Sequence, residues 1–179
     1  MKFGEMRPDP ILLAEDNQDH AHLVLRAFHH GGLINPIFVT EDGVETIGYL
    51  SGEGKFSDRE RYPLPALLLL DLKMPNTDGF EVLRWVRSQP KLSRLPVVVL
   101  AGSGEISDVN RAYDLGANSF LVKPLRMDDF FRVTGAVKSY WLWMGATPSL
   151  IEVQPNWEAV AWVMGSQSGT QQNTGIRPN

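Results

Sequence analysis

Five short apolar runs, none alternating with polar residues, constrain this chain more than any other feature. They are Pro10–Ala14 (PILLA), Pro36–Thr40 (PIFVT), Ala66–Leu70 (ALLLL), Pro96–Leu100 (PVVVL) and Ser119–Val122 (SFLV). A strand that alternates turns one face to water; a strand apolar throughout is covered on both faces, as in parallel sheets. Segments of helical character separate the runs. Over Asp19–His30, Ala21, Val24, Leu25 and Phe28 fall at i, i+3, i+4 and i+7, and Gly31-Gly32 closes the helix. Asp42–Leu50 reads as a short helix. Asp78 with Glu81 three residues on resembles a capping box, opening a helix to about Gln89 with Val82, Leu83 and Val86 inward. Ser107–Leu115 is a helix stopped by Gly116, and Met127 to about Met144 is a long last helix. Strand and helix alternate five times. This predicts an α/β fold: a doubly wound, five-stranded parallel sheet with helices on both faces and right-handed crossovers. Ser51–Pro65 is polar and Gly/Pro-bearing, a loop longer than usual.

Composition narrows the class. The 179 residues are 43% hydrophobic and 21% charged, enough for one domain with a sizeable core. With no cysteine, disulfides and thiolate metal sites are excluded. The N-terminal MKFGEMRPDP has no apolar run of a signal peptide, and no stretch reaches the roughly 18 apolar residues of a spanning helix. The expected location is cytoplasmic, with no membrane partner. A net charge of -4 without a Lys/Arg cluster argues against nucleic acid as a direct partner. The expected organisation is an N-terminal extension (1–9), one domain (10–147) and a C-terminal tail (148–179).

In doubly wound sheets, ligands bind beyond the carboxyl ends of the strands, where strand order switches. Glu15 and Asp16 follow the first run, Asp71 ends the third, Ala101-Gly102-Ser103 follow the fourth and Lys123-Pro124 the fifth. In the order 2-1-3-4-5 the first and third strands are neighbours, so three carboxylates meet. At about 5 Å and an effective dielectric of about 20, each pair repels by about 3 kcal/mol. A hard divalent cation with oxygen ligands offsets this; Mg²⁺ favours a few carboxylates plus waters and a phosphate. Lys123 brings a mobile point charge suited to a phosphate or carboxylate. Asp71, its charge held by metal and lysine, is then placed to attack phosphorus and form an aspartyl-phosphate. The metal and Lys123 would stabilise charge on the phosphoryl oxygens, with the backbone amides of Leu72 and Gly102 assisting. A lone Asp after a strand is more often a cap, and a lone Lys-Pro is usually nothing; their combination in order at strand ends carries the reading.

LLAEDN, LLLLDLKMPNTDG, PVVVLAGSG and FLVKP resemble the receiver domain of two-component response regulators, over roughly Pro10 to Trp143. The order 2-1-3-4-5 is the general one of that fold and is not deduced from these residues. The long loop Ser51–Pro65 and KSYWLWMGATPS further resemble the single-domain receivers that partner phytochrome-like histidine kinases. The resemblance implies a phosphorelay switch rather than an enzyme, with Asp71 receiving a phosphoryl group from a sensor kinase's phosphohistidine. It implies Mg²⁺ held by Asp16, Asp71 and the Lys73 carbonyl, with Glu15 acting mainly through water. Lys123 would contact the phosphoryl group, and its bond to Pro124 is commonly cis in the family. One departure stands out. The family usually has Thr or Ser where Ala101 stands, a hydroxyl that bonds the phosphoryl group, and losing such a bond costs about 1.5–3 kcal/mol. Ser103 lies two residues on. Phe120 stands at the family's switching aromatic and reads either as a switch residue or as a core ring. The Lys73 side chain reads as a shield at the pocket mouth or as a solvated cation.

Two other readings compete. A degenerate receiver would serve as a constitutive docking or dimerisation module, since Ala101 breaks one switch element. A haloacid-dehalogenase-like hydrolase wants a second acid where Lys73 stands, and a dinucleotide-binding oxidoreductase wants a G-x-G-x-x-G that is absent. His20, His22, His29 and His30 include no i, i+4 pair for a metal and read as solvated. In the last helix Phe130, Val133, Val137, Tyr140, Trp141 and Met144 form a core stripe. Phe131, Leu142 and Trp143 fall off it as a second apolar surface, from which a homodimer through the fourth and fifth helices is expected. The segment 149–165 is expected to form a short helix, and 166–179, rich in Gly, Ser and Gln, to be disordered.

Overall fold

The computed structural model describes residues 9–124, 126–137 and 139. Its strands are β1 (Ile11–Ala14), β2 (Ile37–Thr40), β3 (Leu67–Asp71), β4 (Val97–Ala101) and β5 (Ser119–Val122). Its helices are α1 (Gln18–His30), α2 (Gly43–Ser51), α3 (Gly79–Ser88), α4 (Ile106–Asp114) and α5 (Met127–Val137). All strand pairs are parallel, in the order β2-β1-β3-β4-β5. The expected fold class is therefore the observed one. No helix among the described residues is long and apolar enough to cross a membrane.

Each strand's two faces enter different cores, which is why no run alternates. Leu12, Ala14, Leu68, Leu70, Val97 and Val99 face α2, α3 and α4 through Tyr49, Leu50, Val82, Leu83, Val86 and Ala112. Ile11, Leu13, Leu67, Leu69, Val98 and Leu100 face α1 and α5 through Ala21, Val24, Ala27, Phe28, Phe130 and Val137. The four leucines of β3 are almost wholly excluded from solvent, each worth about 1.5–3 kcal/mol of burial. Proline punctuates the strand starts without wasting a donor: the carbonyls of Pro10, Pro36 and Pro96 accept from Ala66, Ile11 and Leu68 of the neighbouring chain stretches at 2.8–2.9 Å.

Local chemistry sets the helix starts. Asn17 caps α1, accepting from the His20 amide at 3.0 Å, so the helix begins before the expected Asp19. Asp42 caps α2. The Asp78/Glu81 capping box is present in both directions. Gly116, at φ +92°, takes the left-handed turn that ends α4.

Three expectations change. β3 and β4 each sit one residue later than the apolar runs, ending on Asp71 and Ala101, because pairing with the neighbouring strand rather than hydropathy sets the ends. The loop 51–65 is a built cover: it holds a 3-10 turn (Gly54–Phe56), and the Arg59 guanidinium donates to the carbonyls of Tyr49, Leu50 and Tyr62. There Phe38, Tyr49, Phe56 and Tyr62 pack ring against ring. Burial pushes the Tyr49 phenol up to about 12, keeping its hydroxyl a donor to Pro63 O at 3.0 Å. Phe131 is not on a second exposed surface. It is half-buried against the α1-side core, its ring meeting the His30 ring edge-on at 4.8 Å. Tyr140, Trp141, Leu142, Trp143, Met144 and the tail 148–179 lie outside the described residues.

Candidate functional site

The register of the sheet gathers the strand-end residues. Ala14 pairs with Leu70, so the next residues, Glu15 and Asp71, stand side by side. Ala101 pairs with Val122, and the Lys123 amide donates to Ala101 O at 2.7 Å, bringing the lysine to the same edge. Oxygens of Glu15, Asp16 and Asp71 lie within 4.8 Å of one another. Glu15 is 1% exposed and Asp71 5%, while Asp16 faces solvent.

Lys123 is the group that makes this tolerable. Its ammonium lies 2.6 Å from Glu15 Oε2 and 2.6 Å from Asp71 Oδ2, with its side chain only 8% exposed. One cation thus serves two buried anions. Asp71 is also fixed through its other oxygen, Oδ1, which accepts from the Lys73 amide at 3.2 Å. Glu15 is less well served: its oxygens make ionic contacts but no well-aligned hydrogen bond. Burial is the main reason its carboxyl is held above the ordinary range. Lys123 opposes that shift, the Asp71 charge adds to it, and His20 opposes it weakly.

Lys123 achieves this through a trans bond. No cis peptide occurs among the described residues, so the expected cis Lys123–Pro124 bond is absent. The trans isomer is the favoured one by about 0.5–1 kcal/mol, and the lysine reaches both carboxylates from it.

Beyond Asp71 opens a cavity of about 250 Å³ whose walls include Leu72, Lys73, Phe80, Ala101, Gly102 and Ser103. Of the phosphate-site positions named from the sequence, Leu72, Ala101 and Gly102 line this cavity, and Lys123 contacts Asp71. Ala101 is buried and offers a methyl where a hydroxyl was sought, with Ser103 on the same cavity wall. Arg111 from α4 stacks on the Phe80 ring at 4.0 Å. Phe120 is half-buried against the α3-side core, while the Lys73 side chain is exposed.

Two features were missed from the sequence. The Glu15–Lys123 pair depends on a register that local pattern does not disclose. His20, read as solvated, brings Nδ1 to 3.4 Å from Glu15 Oε1. Its place in the first turn of α1, directly after the strand-end acids, was the available signal.

Gly79 opens α3 against the backbone of β3's end; a Cβ there would lie 2.2 Å from Asp71 O and 2.7 Å from Leu72 Cα. Gly79→Ala is therefore expected to destabilise the fold by about 1–3 kcal/mol, the range of overpacking. Urea unfolding checks this.

The donor set fits a hard divalent cation. It is all carboxylate oxygen, partly buried, and includes Glu15 oxygens that lack aligned donors.

Comparison with known proteins agrees. A family model described as the response regulator receiver domain matches residues 11–134. The probable methanogenesis regulatory protein FilR2 of Methanothrix harundinacea is 40% identical over 144 residues, 79% of this chain and 88% of FilR2. Response regulator Rcp1 of Synechocystis sp. is 35% identical over 135 residues, 75% of this chain and 90% of Rcp1. The Mn²⁺-bound structure of Rcp1 has a TM-score of 0.72 at 34% identity, covering 79% of this chain and all (100%) of that one. The phosphorylated cyanobacterial phytochrome response regulator RcpA has a TM-score of 0.73 at 33% identity, covering 79% of this chain and 99% of that one. A match across nearly all of the described sheet and helices, made by proteins of similar length, settles the family: this chain is a response regulator receiver.

Proposed function

We propose that the chain is a stand-alone receiver that takes a phosphoryl group on Asp71 from the phosphohistidine of a phytochrome-like sensor kinase. The observation that carries this reading is the Lys123 ammonium at 2.6 Å from a buried, strand-end Asp71. In the transfer, an Asp71 oxygen forms the new bond to phosphorus as the phosphorus–nitrogen bond breaks, and the departing imidazole keeps its electron pair. Lys73's amide holds the Asp71 carboxylate in place, and Lys123 follows the charge onto the phosphoryl oxygens. Asp16, Asp71, Glu15 and the Lys73 carbonyl would hold Mg²⁺, which when bound supplies positive charge against the developing phosphoryl charge. That RcpA is phosphorylated and Rcp1 binds Mn²⁺, as their structures state, supports the same chemistry here.

Residues 10–147 form the receiver in this reading, a cytoplasmic switch whose output is a changed binding surface. Ile106 (76% exposed), Tyr113 (49%) and Val122 (48%) give α4 and β5 an apolar exterior consistent with a homodimer through α4 and α5. The intact acids and Lys123 favour a working acceptor over a degenerate docking module.

The test is incubation with acetyl phosphate, followed by intact mass. One phosphoryl group is expected to add with Mg²⁺ present and none after EDTA. No labelling at any Mg²⁺ concentration would leave the chain a scaffold only.

A further inference from the structure

We propose that His20 is a positioning residue, the donor that holds the Glu15 carboxylate toward Asp16 and Asp71. The inference rests on the reading of that acid cluster as a cation site.

Glu15 is almost wholly buried, and its two oxygens have different neighbours. Oε2 faces the Lys123 ammonium at 2.6 Å; Oε1 faces His20 Nδ1 at 3.4 Å. Neither oxygen makes an aligned hydrogen bond, so each contact matters more than it would for a solvated acid. Lys123 is already shared with Asp71, and in the proposed transfer it follows the charge onto the phosphoryl oxygens. Glu15 then keeps only His20 among these two partners. A carboxylate that presents one oxygen to a cation or to the cation's water is best oriented by a donor on the other, the role outer hydrogen bonds play around metal sites.

The placement of His20 follows from the chain. Asn17 caps α1 by accepting from the His20 amide at 3.0 Å, which fixes the first turn beside the β1 end. The His20 backbone is held by the Asn17 cap, while its side chain is 48% exposed. A shift of a few tenths of an ångström closes the 3.4 Å gap to hydrogen-bond length. The neutral imidazole with its proton on Nδ1 suffices; no change of charge is required.

The experiment compares Mn²⁺ binding by the unsubstituted protein, His20→Ala and His20→Gln, read from the electron paramagnetic resonance signal of free Mn²⁺. Thermal unfolding in metal-free buffer serves as the control for folding. His20→Ala is expected to weaken Mn²⁺ binding about ten-fold, the lower end for loss of such a partner, and His20→Gln, which keeps a donor, to recover most of it. Unaltered binding by His20→Ala overturns the role of His20 alone. Equal weakening in both variants overturns the donor role. Absence of Mn²⁺ binding by the unsubstituted protein overturns the cation site itself and this inference with it.

Discussion

Asp71→Asn is expected to bring labelling by acetyl phosphate from one phosphoryl group per chain to none. The amide nitrogen is no nucleophile toward phosphorus, and the amide withdraws the charge that a cation and Lys123 gather around. Glu15 and Asp16 stand nearby, yet Glu15 is committed to Lys123 and Asp16 faces solvent, so neither replaces it. The same substitution leaves the fold intact. It removes one of two anions competing for one ammonium, and the Glu15–Lys123 contact persists. The Asp71 charge is one of the influences raising the Glu15 carboxyl, so its loss lets that carboxyl fall back toward the ordinary range. The variant's melting temperature in metal-free buffer is therefore expected to equal or exceed that of the unsubstituted protein. Intact mass and a thermal melt on one preparation separate lost chemistry from lost structure.

Lys123→Met has the opposite signature, with a large loss of stability. It keeps an unbranched apolar stem out to the ε position and removes the ammonium that, among the described residues, lies against both buried acids. Removing one partner of a buried ion pair costs about 3–5 kcal/mol, because the partner's charge stays behind uncompensated. For a domain of this size that corresponds to roughly 2–4 °C of melting temperature per kcal/mol. Added Mg²⁺ is expected to recover much of the deficit, since a ligand bound only by the folded state stabilises it. The deficit also depends on pH. Burial already holds the folded Glu15 carboxyl above its unfolded value, and the loss of Lys123 removes the main opposing influence. A carboxyl with a raised folded value binds its proton more tightly when folded. Its protonated form is thus tolerated below the unfolded value of about 4.3, and stability is lost as pH climbs from there through the raised folded value. Melts across that window in metal-free buffer check the sign: a variant most stable at neutral pH would contradict the assignment.

The legible parts of this molecule were those whose cause is local. An acid at the end of four leucines is conspicuous, and so is a cap followed three residues later by Glu81. Unalternating apolar runs state that both faces of the sheet are covered, which fixed the class. What was not legible depends on residues distant in sequence. The one-residue offset of β3 and β4 follows from pairing with neighbours. Lys123's second carboxylate partner follows from the β1–β3 register. Arg59 turns the long loop into a cover by reaching three carbonyls. Phe131 looked superficial on a helical wheel because the end of α1, which receives it, is no part of that wheel. The trans Lys123–Pro124 bond was misjudged for a different reason: the expectation came from family habit, and nothing in this chain's own residues required it.

Gly79 meets the carbonyl of Asp71 directly, and its amide also donates to Leu72 O at 3.0 Å. Main chain rests on main chain there, with no side chain between to rotate out of the way. The first residue of α3 is thus seated on the end of β3 with no room between them, so any displacement of that strand end presses on the helix itself.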